Sequence, residues 1–171
     1  DYDDLDGVLN PGCCGNYEDD FDEVSPFTYT ISSDATITAD LNLNGDITIT
    51  SGATLTLQGC SLAIAPGFGI YIAAGCSLII EMGSVLYSCT GMWAGIYNQG
   101  GTVIIDGSEV DDAIYALYAP YTGYHAVFEI TNSIFDRNYI SVLITDDDYS
   151  TSIFTGNVLQ CTSPLKNSAY G

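Results

Sequence analysis

The chain has 171 residues, with 22 acidic and 2 basic side chains and a net charge of −20 at pH 7. A surface so negative repels nucleic acid and anionic lipid and attracts cations, so nucleic-acid binding is excluded. The length fits one domain, and no apolar run approaches a membrane span or a signal peptide, so membrane insertion is excluded too.

Residues 1–26 form an acidic arm in which Asp1, Asp3, Asp4, Asp6, Glu18, Asp19, Asp20, Asp22 and Glu23 crowd around Cys13 and Cys14. It reads as a solvated leader, or as a cap folded over the start of the domain. The first residue is Asp and not Met, which marks a processed or excised piece. Asp4-Leu-Asp6-Gly7 has the second half of a calcium loop, but Tyr2 occupies the first ligand position and no Glu stands at the required distance. An EF-hand is thereby ruled out, while Asp4 and Asp6 remain candidate calcium ligands.

Beyond the arm, apolar and polar residues alternate with period two over residues 36–44, 47–50 and 54–57. That is strand spacing, and no window carries a helical pattern. Glycines fall between the strands, where the backbone must bend. The segment Ile47-Thr-Ile-Thr-Ser-Gly-Ala-Thr-Leu-Thr-Leu returns 23 residues later as Ile70-Tyr-Ile-Ala-Ala-Gly-Cys-Ser-Leu-Ile-Ile. Two apolar columns continue the repeat: Leu57, Ile80, Ile105, Ile130, Phe154, and Leu62, Val85, Val110, Phe135, Leu159, both with steps of 23, 25, 25 and 24. A repeat of this length marks a stacked coil whose turns bury their apolar faces against one another. The expected fold is all-β, a right-handed parallel β-helix of about six rungs over residues 27–160, standing about 30 Å tall. Residues 161–171 are left as a short tail. Asn132 and Asn157 fall near one corner, where stacked amides can bond along the axis.

Six cysteines, Cys13, Cys14, Cys60, Cys76, Cys89 and Cys161, match no metal-site spacing. Disulfides in an oxidising compartment are the favoured reading and buried thiols the alternative; the pairing stays open. Calcium is the cofactor that the hard oxygen ligands suit, although none is required. Asp146, Asp147 and Asp148 are three adjacent like charges in one loop, a second place for such an ion beside the simpler reading of a solvated loop. Thirteen tyrosines and one tryptophan offer an aromatic face for sugar rings or a protein partner, with Trp93, Tyr97, Tyr115, Tyr118, Tyr121 and Tyr124 as its candidates. Core and corner filling explains them equally well.

Glu81 and Asp106 lie one rung apart, with Gln58 below them in the same column. Facing outward they would be about 5 Å apart, a retaining-glycosidase spacing, or else two solvated polar neighbours on a sheet. Arg137, between Asp136 and Asn138, reads as a structural ion pair.

Ser51-Gly-Ala-Thr-Leu-Thr-Leu, Gly91-Met-Trp-Ala-Gly-Ile and Ile130-Thr-Asn-Ser-Ile-Phe-Asp-Arg-Asn resemble the right-handed β-helix repeats of large secreted bacterial surface proteins exported by the type IX route. The resemblance covers about residues 45–160. It implies an extracellular or cell-surface location, and it raises the polysaccharide-cleaving members of the wider superfamily as a rival. In those enzymes clustered Asp residues work beside Gly-His-Gly and Arg-x-Lys. Here Asn44-Gly-Asp46 and Asp111-Asp112 resemble only the first, the single histidine stands in Tyr124-His125-Ala126, and Arg-x-Lys is missing.

The ends of a β-helix carry open rows of backbone donors and acceptors, and the tail after Leu159 is short and hardly charged. The chain is therefore expected to be a non-catalytic structural or adhesive solenoid that associates head to tail with copies of itself, as a filament or surface-layer subunit. Cys161 at one end and Cys13-Cys14 at the other are placed to bond across such a junction. The alternatives are a module that binds or cleaves surface glycans, and a passive spacer in a large surface protein.

Overall fold

The computed structural model describes residues 27–145 and 151–166. Among these the structure is all-β, with strands laid down in threes and no helix. The first rung is β1 (Phe27–Ile31), β2 (Ala35–Ile37) and β3 (Leu41–Leu43), and the second β4 (Gly45–Ile49), β5 (Thr54–Gln58) and β6 (Ser61–Ile64). The third is β7 (Gly69–Ile72), β8 (Ser77–Glu81) and β9 (Val85–Tyr87); the fourth β10 (Trp93–Asn98), β11 (Thr102–Asp106) and β12 (Glu109–Asp111). The fifth is β13 (Ala113–Ala119), β14 (Val127–Thr131) and β15 (Ile134–Asp136); the sixth β16 (Ile140–Ile144), β17 (Ile153–Thr155) and β18 (Val158–Gln160). Every third strand pairs in parallel, giving three six-stranded sheets: A, from β1 to β16; B, from β2 to β17; and C, from β3 to β18. The chain is a parallel β-solenoid of about five turns, close to the six rungs expected.

Stacked interior columns hold the rungs together. In sheet B, Ile37, Leu57, Ile80, Ile105, Ile130 and Phe154 are successive partners, which is the first column read from the repeat. The second column differs by one residue: Leu62 lies over Leu86, and Leu86 over Val110, Phe135 and Leu159. Val85 pairs instead with Ser61 and Glu109 on the outer face. The corner before β9 explains the slip, because Met82 and Gly83 both take a positive φ, and the added residue moves the strand by one place. Residues 36–44 are likewise two strands and not one, since the chain turns at 38–40 and Asp40 Oδ1 accepts a hydrogen bond from Ser61 N at 2.6 Å. Trp93, Phe128 and Phe135 are the largest side chains wholly inside. Apolar burial at this scale, about 1.5–3 kcal/mol per large side chain, offsets the chain entropy lost in ordering each rung.

A polar column runs up the corner between sheets B and C. Cys60 N donates to Ser84 Oγ at 3.2 Å, Ser108 N to Ser133 Oγ at 3.3 Å, and Ser133 N to Asn157 Oδ1 at 3.0 Å. Each serine hydroxyl in turn donates to a backbone carbonyl of its own corner, as Ser84 does to Glu81 at 2.7 Å. These buried groups satisfy backbone N–H donors that no sheet reaches. Asn157 serves this column, whereas Asn132 turns outward and donates to Asp106 at 3.2 Å, so the two amides do not stack on each other.

Candidate functional site

Both basic side chains of the protein converge on one corner, between sheets C and A. Asp111 and Asp136 occupy equivalent places in β12 and β15, which brings them together across one rung step. Arg137 comes next in the chain, with a positive φ that aims its side chain back over them. Its guanidinium reaches Asp111 at 2.7 Å, Asp112 at 3.0 Å and Asp136 at 2.8 Å. Lys166, from the segment after β18, reaches Asp112 at 2.8 Å and also donates to the Ser88 carbonyl. Thr162 donates to Asp136 through its backbone N at 2.8 Å and its hydroxyl. Residues 161–166 therefore run along the side of sheet C, from the sixth rung toward the third, and do not lie across the end of the coil.

The electrostatics stem from burial. Burial foremost, then the charge of Glu109, pushes the Asp111 carboxyl up to about 7 against the pull of Arg137. Burial also raises Asp136, but the hydrogen bonds from Thr162 and the Arg137 charge outweigh it and leave that carboxyl below its ordinary value. Burial alone would lower the Arg137 guanidinium; the Asp112 hydrogen bond and the three carboxylates more than reverse this and raise it. Carboxylate oxygens of Glu109, Asp111 and Asp136 lie within 4.8 Å of one another, an arrangement able to approach a divalent cation. Two of the three already bond to Arg137, so the cluster works as an internal ion-pair network.

Four tyrosines line the outer face of sheet A. Tyr71 and Tyr97 stack with ring centroids 4.9 Å apart, and Tyr97 meets Tyr118 edge-on at 5.3 Å; Tyr115 lies 5.3 Å from Tyr118. Burial, and after it the neighbouring phenols, pushes the Tyr97 hydroxyl up to about 12. The expected aromatic face is thus partly assembled. Trp93 does not belong to it, since the ring is wholly buried and its Nε1 donates to the Asp111 carbonyl at 2.6 Å. Tyr121 and Tyr124 stand exposed in the loop after β13, whereas Tyr71, absent from the expected set, is central. The recurrence Gly69-Ile-Tyr71 and Gly95-Ile-Tyr97 is the signal that marks it.

On sheet B the two columnar carboxylates are engaged on opposite sides. Glu81 accepts from Gln58 Nε2 at 3.1 Å, one rung below. Asp106 accepts from Thr131 Oγ1 at 2.6 Å and Asn132 Nδ2 at 3.2 Å, one rung above, and these bonds hold its carboxyl below the ordinary value.

Among the described residues, no strand or segment covers the coil beyond the sixth rung. β16, β17 and β18 each have one sheet neighbour, and the interior column ends exposed, with Phe154 at 43% and Leu159 at 59%. A depression of about 380 Å³ there is lined by Phe135, Val142, Phe154, Leu159 and the turn Gly156-Asn157.

Cys60 and Cys76 are buried free thiols and Cys161 an exposed one, so none of the three takes the disulfide expected of it. Cys60 instead starts the serine column, and burial pushes its thiol up. Cys89 is not one of these free thiols. The calcium candidates Asp4, Asp6, Asp146, Asp147 and Asp148, with Cys13 and Cys14, lie outside the described residues. No protein-family model, curated protein or solved structure matches the chain.

Proposed function

We propose that this chain is a non-catalytic extracellular structural or adhesive solenoid that associates head to tail with copies of itself. The observation that carries the reading is the sixth rung, whose three strands have one sheet neighbour each among the described residues and surround exposed Phe154 and Leu159. A monomer normally blunts such edges with charge, proline or a covering segment. Here residues 161–166 turn down the side of sheet C, toward Asp136 and Asp112, and not across the edge. Covering the half of Phe154 and Leu159 that is still exposed stabilises an assembly by about 1 kcal/mol apiece, before the strand edges contribute. A contact between unlike ends does not close on itself, so it propagates as a fibre. The engagement of Glu81 and Asp106 with neutral partners on opposite sides supports a scaffold role over a hydrolytic pair. The repeat motifs and the charge of −20 support an extracellular setting. Electron microscopy of the purified chain tests the proposal: regular fibres support it, and a monodisperse monomer at all concentrations refutes it.

A further inference from the structure

Independently of self-association, we infer that the tyrosine strip of sheet A docks a lysine- or arginine-bearing segment of another protein, held between the rings of Tyr71, Tyr97, Tyr115 and Tyr118 and the carboxylate of Asp46. The rings form two walls. Tyr71 and Tyr97 are inclined by only 26° and Tyr115 and Tyr118 by 33°, while Tyr97 stands at 81° to Tyr115 and 78° to Tyr118. Walls set near right angles present negative ring faces in two directions, the arrangement that surrounds an ammonium or guanidinium group. All four rings are half-buried, so packing holds them while part of each reaches the surface. Glycines open a lane beside them: Gly69, Gly95 and Tyr115 are successive partners across three rungs, and a Cβ on Gly69 would lie 3.5 Å from the Tyr71 ring.

Charge decides the occupant. Asp46 sits at the foot of this lane, where its Oδ1 accepts from Gly69 N at 2.9 Å. Its field reaches the rings: burial first, and the Asp46 charge after it, raises the Tyr71 hydroxyl. A carboxylate that disfavours a phenolate at this distance favours a cation by the same interaction. No lysine or arginine of this chain is left to supply one. The sequence has two, of which Arg137 is engaged by Asp111, Asp112 and Asp136, and Lys166 by Asp112 and the Ser88 carbonyl. A second copy offers only the same two engaged side chains, so the cation comes from a different protein. The net charge of −20 repels an acidic partner, whereas a segment with several basic side chains is drawn in at long range and held by the tyrosine walls on contact.

Titration calorimetry with an oligolysine peptide at about 0.15 M salt tests the inference. The unaltered chain should bind it, Tyr71→Leu and Tyr97→Leu should each weaken binding about 3- to 30-fold, and Tyr97→Phe, which keeps the ring, should bind nearly as the parent does. Asp46→Asn should weaken binding more than Glu129→Gln, which removes the same unit of charge from an exposed place on sheet B. Should a leucine variant not fold, the unaltered chain still answers, because the ring resonances of Tyr71 and Tyr97 should shift during the titration. Leucine variants that bind as tightly as the parent, ring resonances that stay put, or equal losses for Asp46→Asn and Glu129→Gln reduce the effect to net charge and overturn the site. A chain that ignores oligolysine overturns it too, whether or not it binds a neutral oligosaccharide such as cellohexaose through the same tyrosines.

Discussion

Arg137 and Asp111 meet at 2.7 Å across one turn of the solenoid, joining the fourth and fifth rungs by a bond that no sheet supplies. The same guanidinium holds Asp112 and Asp136, so one cation serves three carboxylates. In a chain with only one other basic side chain, this corner is where axial cohesion depends most on charge.

Replacing Arg137 by Gln leaves Asp112 with Lys166, Asp136 with Thr162, and the buried Asp111 without a cation. We predict a loss of about 3–5 kcal/mol in unfolding free energy. Chemical denaturation monitored by circular dichroism measures it, and a loss below about 1 kcal/mol contradicts the network.

Asp111 titrates at about 7 in the folded protein, and near 4 when unfolded. The folded state therefore holds this proton more tightly, so its contribution is complete below about pH 4 and disappears as pH rises through 7. Melting temperature should fall between about pH 4 and pH 7, and Asp111→Asn should flatten that slope. Asp136, shifted the other way, acts only in acid, where its contribution is lost as pH falls through its lowered value.

Ser84 bridges rungs inside the corner column, accepting from Cys60 N and donating to the Glu81 carbonyl. Ser84→Ala strands a buried N–H and should cost about 1–3 kcal/mol by denaturant titration. Ser61→Ala, on the outer face of sheet C, serves as the control and should change stability by less than about 0.5 kcal/mol.

Gly95 has a φ of +114°, and a Cβ there would stand 1.6 Å from the Tyr115 carbonyl oxygen. Gly95→Ala must open the β10–β13 pairing beneath the tyrosine strip. A loss of more than about 3 kcal/mol, or no soluble protein, is the expected result in expression and melting experiments.

Much of this architecture could be read from the residues because a solenoid writes its contacts as a period. Along the interior columns a side chain is matched one rung away by a residue of similar kind, as Ile80 is by Leu57 and Ile105. Register was misplaced where a corner gained a residue: a step of 23 put Val85 in the column that Leu86 occupies, because period-two alternation cannot sense one added place at a turn. Trp93 is not a surface aromatic for a related reason, since Trp93-Ala-Gly-Ile opens strand β10 with four buried residues in a row, beside a register irregularity at Gly95 and Ile96. Arg137 was legible as an ion pair from its acidic neighbours, but Lys166 was not, because its partners Asp112 and Ser88 lie 54 and 78 residues away and off the repeat. Among the cysteines, Cys60 and Cys76 follow the buried-thiol alternative, which an even count of cysteines cannot distinguish from bridging because both demand the same interior positions.

Hydrogen–deuterium exchange at two protein concentrations tests the central claim most directly. The account predicts that β16–β18 and β1–β3 exchange quickly in dilute solution and become protected together as concentration rises, while β8 and β11 stay protected throughout. Terminal strands whose exchange does not depend on concentration would contradict it.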